Sequence, residues 1–209
     1  MCARYEVLNS FLIAQRFHVR HSEIVLTDNL DVRPTDWVPT ITADRTLSPM
    51  RWGLVPAWPP DTTRASTLIN ARSETVADKP AFRRPLRTQR CLLPASAFFE
   101  WQGEPGAKVT WRIARQDGVW FSFAGLSETW VDPDGVPLPT CSLLTTTPIA
   151  EVSLLHHRMP VILLPDDEDR WLNAALTTPT DLLPLLRPLS RWPVGSAHRL
   201  MRQRVTVLS

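Results

Sequence analysis

Apolar residues along this chain fall into short runs whose period changes from segment to segment. Val7, Leu8, Phe11, Leu12 and Phe17 recur at roughly helical spacing, which predicts a short amphipathic helix over residues 6–17. Pro34, Trp37 and Pro39 predict an extended, irregular stretch, and the run MRWGLVPAW from Met50 to Trp58 predicts a strand entering a proline-limited turn. Residues 59–65 read as an exposed loop and residues 77–86 as a helix. Residues 109–114 and 119–125 alternate around Asp117-Gly118, the signal of a β-hairpin. Pro133-Asp134-Gly135 marks a second turn before a strand over residues 140–147. Val161, Ile162 and Leu163 predict a buried strand, residues 166–176 a helix, and the arginine-rich stretch 191–204 yields no assignment. Short strands joined by close turns dominate, so the predicted fold class is α+β on a mainly antiparallel sheet.

Composition narrows this picture. A chain of 209 residues can bury a sizeable core, and without a linker the expectation is a single domain over 1–209. No apolar run is long enough to span a bilayer and no basic-then-apolar leader opens the sequence, so a soluble, cytoplasmic protein with no membrane partner is expected. Cys2, Cys91 and Cys141 are odd in number and lack CxxC spacing, which argues against a disulfide framework or a cysteine metal site. The net charge of +2 does not by itself announce a nucleic-acid protein. Of the 23 basic residues, however, only Lys79 and Lys108 are lysine; arginine suits bidentate phosphate contacts, although a GC-rich genome produces the same bias. Nine tryptophans and 20 prolines against seven glycines point to a rigid, loop-rich fold with several stacking surfaces.

Four positions carry candidate chemistry. Removal of Met1, favoured by the small second side chain, would leave Cys2 with a thiol and an α-amine on adjacent carbons, a pair that condenses with an aldehyde to a thiazolidine. A frayed, incidental terminus is the plain alternative. In Asn70-Ala71-Arg72-Ser73-Glu74-Thr75, Asn70 can donate and accept hydrogen bonds, and Arg72 shares its side of an extended backbone; otherwise Asn70 and Ser73 cap a helix and Arg72 and Glu74 form a solvated pair. Glu100, between Phe98-Phe99 and Trp101, has apolar neighbours that raise a carboxyl pKa and suit it to acid/base work, unless it simply occupies the wet face of a strand. His156 and His157 precede the apolar strand; adjacent residues face opposite ways, so at most one serves a site.

Five motifs, MCARY, MRWGLVPAW, NARSET, RCLLP followed by FFEW, and HHRMPVIL, occur in the order and spacing of the SOS-response-associated peptidase (SRAP) family, which the chain resembles from Met1 to about Leu176. The resemblance implies a barrel-like α+β fold with flanking short helices, binding of single-stranded DNA containing abasic sites, and covalent capture of the lesion as a thiazolidine. It implies Cys2 as nucleophile, Asn70 as the group positioning it and the sugar, Glu100 as proton shuttle, and His156 as an aid to sugar opening and crosslink reversal, with His157 at a variable position. Arg4, Arg72 and Arg158 become expected phosphate ligands, Trp52, Trp58 and Trp101 expected base contacts, and Thr145 an expected wall of the sugar pocket. No metal or other cofactor is expected, and a monomer that associates with the nucleoid through DNA is.

The chain departs from the family pattern in Ala3, Ala97 and Phe99, where glycine, glycine and tyrosine are usual, and after Pro193. A methyl at Ala3 restricts the backbone beside the nucleophile. Two other functions compete: a cysteine peptidase acting beyond its own Met1, since a thiol, a histidine and a carboxylate can form an acyl-transfer site, and a single-strand binder with no covalent chemistry.

Overall fold

The computed structural model describes residues 2–57, 68–104 and 106–189, and the backbone of 200–204. Its strands are β1 (Tyr5–Val7), β2 (His21–Ser22), β3 (Asn29–Val32), β4 (Trp37–Ile41), β5 (Thr46–Trp52), β6 (Asn70–Arg72), β7 (Arg90–Ala95), β8 (Ala97–Gln102), β9 (Val109–Arg115), β10 (Phe121–Val131), β11 (Pro137–Thr146), β12 (Met159–Pro160), β13 (Ile162–Leu163) and β14 (Leu200–Arg204). The helices are short: α1 (Ile13–Arg16), α2 (Pro80–Thr88), α3 (Ala150–Ser153), α4 (Pro165–Leu172) and α5 (Pro179–Leu182). None of the described helices is long and apolar enough to cross a membrane.

One sheet closes on itself. Its strands follow the order β11-β10-β7-β4-β5, and β5 pairs back onto β11, with β2, β12, β13 and β6 added at the margins. Five strands cannot alternate direction all the way round a ring, so one junction must be parallel; here it is β5 on β11, with Thr140 opposite Arg51 and Cys141 opposite Trp52. The chain leaves this seam at Gly53, whose φ of 132° suits glycine. It returns to the same edge of β11 as β6, again parallel, with Asn70 opposite Leu143 and Arg72 opposite Thr145. All six residues of β7 are buried, as expected of a strand with partners on both sides inside a closed sheet.

The second sheet, β14-β9-β8-β1-β3, packs on the barrel. An aromatic cluster joins the two: Tyr5 meets Trp52 and Phe123 edge-on at centroid distances of 5.2 and 5.6 Å, and Phe98 meets Phe123 at 6.1 Å. These side chains belong to one contiguous buried core.

Several expectations change. The helix expected over residues 6–17 gives way to β1, and only a 3-10 turn (Ser10–Leu12) and α1 remain helical. All three β1 residues are buried between β3 and β8, a demand that outweighs a weak helical period. Asp117-Gly118 does turn the chain, but the flanking strands do not pair with each other: β9 bonds to β8 and β14, and β10 to β7, β11 and β13. The turn therefore connects two sheets. The hairpins that do form are β4–β5, β8–β9 and β10–β11, the last around Pro133-Asp134-Gly135. The run from Met159 to Leu163 is split between two partners, β12 on β11 and β13 on β10. The helix expected over 77–86 is α2, begun by Pro80 at its first turn and not by an Asn or Ser cap.

Gly125 of β10 faces the interior, where an added Cβ would lie 2.2 Å from Leu93 Cδ1 and 2.9 Å from Cys91 Sγ. Gly125→Ala is expected to lower the unfolding free energy by about 1–3 kcal/mol, read from the urea midpoint; an unchanged midpoint would mean the barrel interior is loosely packed there.

Candidate active site around the second residue

The ladder between β1 and β8 brings the start of the chain to the candidate acid. Tyr5 lies opposite Phe98, and the Phe99 N–H donates to the Arg4 carbonyl at 3.0 Å, so the antiparallel register continues past β1 and draws residues 3 and 2 alongside Glu100 and Trp101. Cys2 is fully buried. On its other side stands β6, whose Asn70 donates from Nδ2 to the Cys2 carbonyl at 2.8 Å across 68 residues of sequence.

Burial sets the electrostatics. It pushes the Cys2 thiol far above the usual range, and the negative charge of Glu100 adds to the effect. Glu100, 1% exposed, is pushed up to about 7 by loss of solvent, partly offset by the charge of the chain's amino terminus. His156 is held below the usual imidazole value, first by burial and next by that same terminal charge. One positive charge thus acts on Cys2, Glu100 and His156. Among the described residues, Asn70 Oδ1 and Glu100 Oε1 are buried acceptors with no hydrogen-bond partner.

His156 sits on the loop after α3, half-buried and stacked on His157 with ring centroids 4.3 Å apart. Its Nδ1 accepts the Arg158 backbone N–H at 3.0 Å. The Arg158 carbonyl lies 3.2 Å from the same nitrogen, so the imidazole is seated on the Arg158 peptide. Strand β8 and the turn after β6 hold the loop: Gln102 of β8 donates to the Leu154 carbonyl at 2.8 Å, and Arg158 grips Glu74, four residues past Asn70, at 2.5 and 2.9 Å. Glu74 and Gln102 were not legible as site residues, because each acts on a segment more than 50 residues away. Glu74 also corrects the expected solvated pair with Arg72; Arg158 is its partner.

The expected DNA contacts divide. Arg72 is exposed and Trp101 half-buried, so both can be reached from solvent. Arg4 is half-buried, with Nε 2.6 Å from Asp31 and its guanidinium 4.4 Å over the Phe99 ring. Trp52 must be corrected: it has no exposed surface, its indole N–H donates to the Ile69 carbonyl at 2.9 Å, and it has no face for a base. Thr145 has none either, and it lies inside a network in which Arg158 donates to its carbonyl at 2.6 Å. Arg158 is 8% exposed, so a phosphate there would have to displace Glu74. Trp58 lies outside the described residues, as does most of the 191–204 stretch. Among the described residues no group of three His, Cys, Asp or Glu side chains could hold a metal, and Cys2, Cys91 and Cys141 are free and buried.

A small closed barrel thus holds Cys2 by the amide of Asn70 and near the buried acid Glu100. The family model described as SOS response associated peptidase (SRAP) matches residues 1–202, and the chain belongs to that family. It is 39% identical over 195 residues to the abasic site processing protein YoqW of Bacillus subtilis, covering 90% of this chain and 87% of that one. It is 33% identical over 171 residues to the abasic site processing protein HMCES of Gallus gallus, covering 70% of this chain and 51% of that one. A crystal structure of a protein from Bacteroides thetaiotaomicron superposes with a TM-score of 0.87 at 26% identity, over 98% of this chain and 92% of that one.

Folding usually lowers a carboxyl pKa; at Glu100 it raises it. Below the ordinary glutamate range both folded and unfolded chains are protonated and no penalty exists; as pH rises towards about 7 the fold must hold a proton that the unfolded chain has released, and stability falls. Glu100→Gln is therefore expected to melt higher than the parent at pH 8, with the gap shrinking towards pH 5. A gap independent of pH would mean that Glu100 is solvated in the native state.

Proposed function

We propose that the protein binds single-stranded DNA at abasic sites and captures them covalently through Cys2 once Met1 is removed, shielding the lesion. One observation carries the reading: two buried acceptors without partners among the described residues, Asn70 Oδ1 and Glu100 Oε1, stand near the residue whose freed α-amine would supply N–H donors. The printed names of the relatives, abasic site processing proteins, support the same substrate.

The chemistry follows in balanced steps. An abasic deoxyribose is mostly a closed hemiacetal; His156, its imidazole seated on the Arg158 peptide, assists its opening to the aldehyde. The Cys2 α-amine adds to the aldehyde carbon to give a carbinolamine, and Glu100, poised near neutrality, protonates the departing hydroxyl, so that water leaves and a protonated imine remains beside the Glu100 carboxylate. The thiol sulfur then adds to the iminium carbon while its proton passes to the Glu100 carboxylate, which restores the acid and closes the five-membered thiazolidine with net loss of one water. A thiol held protonated by burial favours this order, with the amine attacking first. Asn70 fixes the Cys2 carbonyl and with it the direction of the amine. Arg4 and Arg72 serve the phosphates and Trp101 a neighbouring base.

Intact-mass analysis and denaturing electrophoresis with single-stranded DNA carrying one abasic site test this directly. The expected result is a mass lacking Met1 and a denaturation-resistant complex that disappears in Cys2→Ala and after acetylation of the α-amine. Processed protein that forms no complex would sink the proposal, and a complex surviving acetylation would point to thiol chemistry of the peptidase kind. Crosslinking by the wild-type protein is expected to slow above about pH 7, where Glu100 loses its proton. Glu100→Gln should be slower by about 10²–10⁴-fold and lack that bend; an unaltered pH profile would remove Glu100 from the proton transfers.

A further inference from the structure

We propose that Glu74 is a positioning residue for His156, acting through Arg158; the inference rests on the reading of His156 as a proton-transfer group. The Arg158 guanidinium donates from Nη1 and Nη2 to the two carboxylate oxygens of Glu74 at 2.5 and 2.9 Å, and Nη2 also reaches the Thr145 carbonyl at 2.6 Å and Oγ1 at 3.2 Å. The grip spans 84 residues and ties the loop carrying His156 to the turn that follows Asn70. It is one-sided in exposure: the Arg158 side chain is 9% exposed and that of Glu74 46%. A carboxylate reaching in from the surface thus neutralises a cation that is nearly enclosed.

The consequence for His156 runs through the backbone. His156 Nδ1 lies 3.0 Å from the Arg158 N–H and 3.2 Å from the Arg158 carbonyl, and on this inference the N–H is the donor that keeps Nδ1 an acceptor and the proton on Nε2. At the other end of the loop, the His156 N–H donates to the Val152 carbonyl at 3.0 Å and Gln102 holds Leu154, so the imidazole orientation depends on where the Arg158 peptide sits. Without the Glu74 carboxylate, Arg158 is a buried cation facing only Thr145, and its Nε already has no partner among the described residues. Such a cation moves towards water, and its peptide N–H leaves Nδ1. The local sequence gives no hint of this coupling, because Glu74 and His156 belong to different motifs.

The test is made first without DNA, by following the His156 imidazole nitrogens in 15N NMR spectra of Glu74→Gln and of Arg158→Lys, which retains the charge and loses the two-pronged grip. The expected result is a single Nε2–H tautomer in the wild-type protein and a mixture in both variants. With abasic DNA, Glu74→Gln should then slow crosslink formation and reversal on the order of 10- to 100-fold with DNA affinity unchanged, and Glu74→Asp should recover most of the rate. A His156 tautomer that survives in both variants overturns the proposal. So does Glu74→Gln that binds DNA more tightly at an unaltered tautomer, which would make Glu74 a competitor of phosphate for Arg158. Because the NMR comparison needs no lesion, failure of the wild-type protein to crosslink would count against the proposed function and leave this inference to be decided on its own data.

Discussion

Tyr5 is the contact on which the site depends. Its ring packs edge-on against Trp52 and Phe123 of the barrel while its backbone pairs with Phe98 and Val32 in the second sheet. Chain termini ordinarily fray because nothing offsets the entropy of fixing them. Here a large buried aromatic three residues from Cys2 offsets it, and the ladder running back from Tyr5 holds Cys2, the proposed nucleophile, in a fixed place. A residue on a free terminus would sample many positions; Cys2, fully buried, is set with the tolerance of a core side chain.

The closed sheet supplies the other half of the site by a geometric necessity. An odd ring of strands needs a parallel junction, and that seam runs along one edge of β11, first with β5 and then with β6. Gly53 donates to the Cys141 carbonyl and Ile69 accepts from the Leu143 N–H, so the chain is back on the seam just before β6, whose first residue is Asn70. The amide reaches Cys2 because a strand starts where the ring required a parallel partner. Beyond the far end of β11, Arg158 returns to Thr145 and carries the His156 loop with it.

Between these elements lies an environment that costs stability and gives chemical use. Among the described residues Glu100 and Asn70 each hold a buried acceptor without a partner, and such groups survive only where the surrounding structure is firm. The same loss of water that penalises an ionised Glu100 brings its proton affinity near neutrality. Carboxylates with a firm partner follow the opposite rule: Glu74, held by Arg158, has its pKa lowered.

The sequence alone determined the residue types and their local settings. Cys2 at the second position, the amide of NARSET, the acid among aromatics in FFEW and the histidine before MPVIL were legible because each chemistry is written in a few adjacent residues, and strand content followed from alternation and turn residues. Tertiary structure decided what period and motif cannot encode. It turned residues 5–7 from helix to strand because they fill the place between β3 and β8 in the second sheet, and it placed β9 and β10 in different sheets despite their hairpin-like turn. It buried Trp52, which in sequence is indistinguishable from a base platform, and joined Arg158 to Glu74 in place of the nearer Arg72. The physical reason is common to all four: which face of a strand meets the core, and which charge meets which, depends on partners tens of residues away, and only closure of the barrel fixes them.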